Sequence, residues 1–167
     1  MSQNAGDADI KGAELELEAI IGGGLSLNLA YGYLDATYTR IAPNATEVTI
    51  HSSLPKTPKT KLTVSPTWDV KLSDSGTLRF AADYTRTAEM ANDAPNTPLL
   101  RRPASDNLSA SIHYLSPENK YEVTLGGTNL TDDRYLTVGS VNGAEGETVG
   151  TYNPPSQWYL SLRMTFE

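Results

Sequence analysis

The chain closes on "QWYLSLRMTFE", residues 157–167, and the reading of this stretch decides the fold. Taken in twos, Trp158, Leu160, Leu162, Met164 and Phe166 fall on one side, and Tyr159, Ser161, Arg163 and Thr165 on the other. A period of two belongs to a β-strand, whose side chains point alternately to opposite faces. The stretch is a strand with one oily face. Such a strand fits the surface of a soluble sandwich, or one stave of a membrane barrel.

Moving upstream, the same alternation recurs and gives seven candidate strands in all. Over residues 9–20, Ala13, Leu15, Leu17 and Ala19 oppose Glu14, Glu16 and Glu18. Over 25–40, Leu25, Leu27, Leu29, Tyr31 and Tyr33 oppose Ser26, Asn28, Ala30 and Gly32, with Leu34 out of phase. Over 59–71, Leu62, Val64, Pro66, Trp68 and Val70 oppose Lys61, Thr63, Ser65, Thr67 and Asp69; Pro66 is awkward there because proline cannot donate to a ladder. The stretches 77–89, 106–115 and 120–131 follow suit, with Leu78, Phe80 and Tyr84, then Leu108, Ile112 and Tyr114, then Tyr121, Val123 and Leu125 on their oily sides.

The connections alternate short and long. "IGGG" (21–24), "SDSG" (73–76) and "SPEN" (116–119) are tight and built of turn residues. The other three are long: a Pro/Thr/Ser-rich stretch between the second and third strands, "ANDAPNTPLLRRPAS" (91–105), and "DDRYLTVGSVNGAEGETVGTYNPPS" (132–156), read as lacking structure of its own. Structureless loops beyond about 12–15 residues are uncommon in compact soluble domains. Here all three leave from one end of an all-β, antiparallel, up-and-down meander, the asymmetry of outer-membrane barrels.

Composition leaves both readings open. The 167 residues suit one structural unit, and no stretch approaches the roughly 20 apolar residues of a membrane helix. A mean hydropathy of -0.38 resembles that of a soluble protein, but a barrel exposes only alternate residues to lipid and averages much the same. The net charge of -7 and the lack of any basic cluster beyond Arg101 and Arg102 argue against a nucleic-acid partner. Without cysteine there is no disulfide, thiolate metal site or Cys nucleophile. The opening "MSQNAGDADIKG" has neither a basic nor an apolar signal-peptide region.

Aromatic residues sit on the oily sides. Tyr31, Tyr33, Trp68, Tyr84, Tyr114, Tyr121 and Trp158 include several near strand ends, where membrane-interface girdles belong. No catalytic or metal-ligating arrangement is read. His51 and His113 stand apart without metal-ligand neighbours, His113 alternates onto the polar side, and Glu14, Glu16 and Glu18 read as a wetted wall. No cofactor is expected.

Six stretches, in order, carry a resemblance: "NAGDADIKGAELELEA" (4–19), "YGYLDATYT" (31–39), "LPKTPK" (54–59), "NDAPNTPLL" (92–100), "GGTNLTDDRY" (126–135) and the terminal "WYLSLRMTF". Together they resemble the carboxyl-terminal third of a TonB-dependent outer-membrane receptor, over almost the whole chain. The resemblance implies a 22-stranded transmembrane barrel filled by an amino-terminal plug. It implies a bacterial outer-membrane location and active uptake of a scarce nutrient: a ferric siderophore, cobalamin or a carbohydrate. The implied partners are outer-membrane lipid, the remaining barrel strands and plug, TonB acting through a plug segment, and a small nutrient ligand. On this reading residues 1–167 form a partial barrel that lacks plug, TonB box and signal peptide and transports nothing alone. The family's terminal aromatic insertion signal falls on Phe166, although Glu167 follows it.

Ligand contacts are expected from the long loops, because function concentrates in loops on a rigid scaffold. Arg101 and Arg102 are the first candidates, since guanidinium pairs with anionic chelates or carboxylates. Asn92, Asp93 and Tyr152 follow. "NLTDDRY" reads as a turn organised by Asn129 and Asp132. Two alternatives stand beside the receptor: a soluble all-β ligand-binding module whose oily faces meet one another, and a passive porin-type barrel.

Overall fold

The computed structural model describes residues 6–45, 47–142 and 146–166. Glu167, and with it the departure at the terminal insertion signal, lies outside them. Among the described residues nine strands form: β1 Gly6–Gly22, β2 Leu25–Ile41, β3 Thr60–Lys71, β4 Thr77–Thr87, β5 Ser105–Leu115, β6 Tyr121–Thr128, β7 Leu136–Asn142, β8 Glu147–Tyr152 and β9 Gln157–Met164. Seven make one sheet in the order β1-β2-β3-β4-β5-β6-β9, each antiparallel to its neighbour, and β7 and β8 pair separately. This is the expected meander. No helix among the described residues is long and apolar enough to cross a membrane, which says nothing about crossing with strands.

Register shows why the sheet has two unlike faces. Cross-strand partners share a face, and Leu25, Trp68, Phe80, Ile112, Leu125 and Leu160 form one unbroken row from β2 to β9. The row Leu17, Leu29, Val64, Tyr84 and Leu108 lies on the same face nearer the long loops. The opposite face carries Asp69, Arg79, His113, Thr124 and Ser161 as a polar row. Arg79 donates to both carboxylate oxygens of Asp69 at 2.7 Å, His113 meets Glu122 at 3.0 Å, and Arg163 stands 3.6 Å from Glu122.

No described residue covers the apolar face. Trp158 is 70% and Leu160 74% exposed, and the sheet is a single layer. Among the described residues the buried apolar side chains are Ala91, Leu100 and Leu136, all of them in the long connections rather than in the sheet. This overturns the soluble-module alternative, because the oily faces do not meet one another in a dry centre.

Two expectations need correction. The connection 132–156 is not structureless, since β7 and β8 form a hairpin within it. Its alternation is obscured by a register shift between Leu136 and Val138 and by glycines at Gly139 and Gly150, which face each other. The sixth strand stops at Thr128 rather than 131, because Asn129 takes a left-handed backbone with φ 48° and turns the chain out. Pro66 is tolerated inside the sheet: the β3–β4 pairing passes over Ser65 and Pro66, and the Ser65 hydroxyl donates to Asp83 at 2.6 Å.

β1 and β2 are 17 residues each, where a spanning strand needs about 9–11. Beyond Ala13 their apolar face gives way to Lys11, Asp9 and Asp35, while the opposite face carries Leu34, Ile10, Ala36 and Tyr38, so the pair continues past the other strands as a ribbon with its faces exchanged. At its tip Arg40 donates to Asp7 at 2.7 Å. That bond, and then the charge of Arg40, hold the Asp7 carboxyl below its ordinary range, while Asp7 raises Arg40 in return.

Candidate functional site

The three long loops leave the sheet at one end and close on each other there. The third is anchored first, by "NLTDDRY". Asn129, 4% exposed, donates through Nδ2 to the carbonyls of Asp133 at 3.1 Å and Pro154 at 2.9 Å. Asn153, 5% exposed, donates to Asp133 at 2.8 Å and accepts from the Tyr135 amide at 2.8 Å. Asp132 accepts from Ser156 N at 2.9 Å, and Asp133 from Asp106 N at 2.7 Å. Short polar side chains that bond backbone groups in this way fix a turn. The motif thus gathers both ends of the third loop against the start of β5.

Lys56 and Leu100 join the loops to one another. Lys56, at φ 60°, donates its backbone N–H to Ala91 at 2.9 Å. Its ammonium donates to Asn92 Oδ1 in the second loop and to the Thr137 carbonyl in the third. Asn92 returns Nδ2 to the Leu100 carbonyl at 2.8 Å. Leu100, in the short 3-10 turn Pro98–Leu100, is 1% exposed. Its Cδ2 stands 2.5 Å from where a Cβ on Gly139 would lie, so the absent side chain makes the notch it occupies.

The candidate ligand residues divide between this framework and its surface. Asn92 is buried within it. Asp93 accepts from Thr97 N at 2.9 Å and shapes its own turn. Arg102 lies with its guanidinium 3.6 Å from the centre of the Tyr135 ring and donates to Ser105 at 2.6 Å; its Nε is buried without a hydrogen-bond partner among the described residues. Arg101 is exposed and donates to Glu89 at 2.9 Å. Tyr152 is exposed at the end of β8, opposite Leu136. The structure therefore brings Arg102, Asn92 and Asp93 into the loop framework and leaves Arg101 and Tyr152 at its surface.

Arg101 borders a cleft of about 410 Å³ between the end of β2 and the first two loops, together with Asp35, Ser53, Lys59, Glu89 and Asn96. Leu34, Met90 and Ala91 line it as well, so charges of both signs beside apolar surface suit a ligand with polar and apolar parts. Sequence reasoning passed over Glu89, Lys56, Leu100, Tyr135 and Asn153. Only Asn153, ahead of "PP", carried a local turn signal; the others owe their roles to partners distant in the chain. No group of side chains that could hold a metal ion occurs among the described residues.

The seven girdle candidates share the apolar face. Trp68 Nε1 donates to the Gly23 carbonyl at 3.2 Å and Tyr114 to Ser75 at 2.8 Å, both in short turns. Toward the loops, Tyr84 donates to Asp106 at 2.6 Å and Tyr33 lies beneath Lys59. Tyr31 pairs with Leu15 and Leu62, Tyr121 with Met164, and Trp158 with Gly127. Phe166 follows the last strand and is 85% exposed.

Comparison with known proteins adds three findings. The family described as "TonB dependent receptor-like, beta-barrel" matches residues 1–130. No curated protein matches the sequence. Among solved structures, the ferric yersiniabactin uptake receptor FyuA from Yersinia pestis is similar with a TM-score of 0.83 at 24% identity, over 98% of this chain and 24% of that one. The siderophore receptor PiuA from Acinetobacter baumannii is similar at 0.73 and 20% identity, over 93% of this chain and 21% of its own. BauA, the ferric preacinetobactin receptor of the same organism, is similar at 0.68 and 19%, over 95% and 22%. These are likenesses of fold, and the chain spans under a quarter of each receptor's length.

Proposed function

Because the chain belongs to the TonB dependent receptor-like β-barrel family, we propose that it is a wall segment of an outer-membrane receptor that takes up a scarce nutrient with energy delivered through TonB. The observation that carries this reading is the continuous apolar face, uncovered from β2 to β9, backed by a face of ion pairs. In a barrel the first face meets acyl chains and the second a watered lumen holding a plug. The free edges of β1 and β9 then take the neighbouring strands of the closed wall, since an unpaired edge is costly in hydrocarbon.

Within the nutrient classes, a ferric siderophore is the substrate this reading favours. It is supported by the three similar folds, named as receptors for ferric yersiniabactin, a siderophore and ferric preacinetobactin, and by the cleft beside Arg101. Arg101 pairs with the anionic chelate from the loop surface, and Arg102, Asn92, Asp93 and Tyr152 hold or flank that surface. The test is iron uptake by cells whose only siderophore receptor is the complete protein. Labelled ferric chelate should accumulate in TonB-containing cells and fail to do so without TonB. Equal uptake in both would make the protein a passive pore. TonB-dependent uptake of cobalamin or an oligosaccharide, with none of iron, would keep the receptor and change its substrate.

A further inference from the structure

The contacts among the long loops form a closed circuit. Lys56 of the first loop binds Asn92 of the second, Asn92 binds the Leu100 carbonyl, Leu100 fills the notch at Gly139 in the third, and the Thr137 carbonyl of that third loop accepts from Lys56 again. Each loop thus touches the other two. A separate link, in which the Ser53 amide donates to Asn96 Oδ1 at 2.7 Å and Asn96 Nδ2 donates to Ser53 O at 2.8 Å, ties the first loop to the second independently.

We infer that the three long loops are one cooperative cap at the sheet end, latched by Lys56, which loses its structure locally as a single unit. The argument is one of shared partners. The ammonium of Lys56 satisfies acceptors in two other loops at once, and a charged donor makes the stronger class of hydrogen bond. Withdrawing it strands Asn92, which is 9% exposed, and that disturbs Leu100, whose seat is made by another loop. Leu100 and Leu136, two of the three buried apolar side chains among the described residues, both close on Gly139, so the second and third loops share a dry contact there. A loop that left alone would expose it. Residues held in one hydrogen-bond network or around one packed cluster couple in this way. The inference does not depend on what ligand the barrel carries.

Hydrogen exchange of the complete barrel protein in lipid, followed by mass spectrometry, tests it. Three variants, one per loop, are compared with the parent: Lys56→Met, Leu100→Ala and Gly139→Ala. Each should speed exchange about tenfold or more in residues 47–59, 88–104 and 129–142 together, while the strands β1 to β6 and β9 keep their protection. Lys56→Arg, which keeps a cationic donor, should restore part of the protection in all three loops. Faster exchange confined to the loop that carries the change would overturn the inference. So would loss of strand protection in all three variants, because the loops would then belong to the wall's own folding unit.

Discussion

The guanidinium of Arg101 meets Glu89 with both side chains more than half exposed, at 59% and 60%. An ion pair in that setting contributes about 0–1 kcal/mol, so the arginine exchanges its partner readily for a stronger anion. Arg102, one residue on, is fixed between Tyr135 and Ser105 and shapes the loop instead. On the proposed function, Arg101→Ala should weaken binding of an anionic ferric chelate by about tenfold, the loss of one charge-assisted hydrogen bond. Glu89→Gln should leave binding unchanged or tighten it. Titration calorimetry with the complete receptor decides, and parental affinity in Arg101→Ala would remove the residue from the site. At the far tip, the lowered Asp7 carboxyl contributes fully above its ordinary value of 3.8. That contribution fades only as pH falls through the lowered value, so changes around neutrality leave the ribbon alone.

For the single strand, what matters is which face a residue occupies. Leu160 pairs with Leu125 on the apolar face, and its neighbour Ser161 pairs with Thr124 on the polar one. Leu160→Arg should destabilise the complete barrel in lipid by about 2–4 kcal/mol, whereas Ser161→Arg should cost little. Equilibrium unfolding of barrels refolded into vesicles measures both, and equal effects would deny the two faces their different surroundings. All seven strands of the sheet were legible in the sequence for this same reason: each alternates for long enough to override local propensity, and three turn-forming stretches mark where the chain reverses. The hairpin of β7 and β8 escaped notice because Gly139 and Gly150 leave empty the positions where apolar residues would have shown the period. The candidate site was legible only as a choice of loops. Arg101 stood out by its charge, but its partner Glu89 and the bonds of Lys56 arise from contacts between distant residues, which leave no periodic trace.

As a whole, the molecule inverts the usual arrangement of a small protein. The sheet offers its apolar side chains outward, and Ala91, Leu100 and Leu136 are sheltered in the connections beyond it. On the proposed function the wall draws its stability from the surrounding lipid, and the cap from its own small interior. Two such units answer to different conditions. A heat scan of the complete protein in lipid should give two separate absorption peaks, the lower belonging to the cap, and Leu100→Ala should move the lower one and leave the upper in place. A single peak that shifts as a whole would show the two units melting together. Protein that has lost the first peak would still sit in its bilayer with strands intact, so an assay of membrane insertion alone would report it as sound.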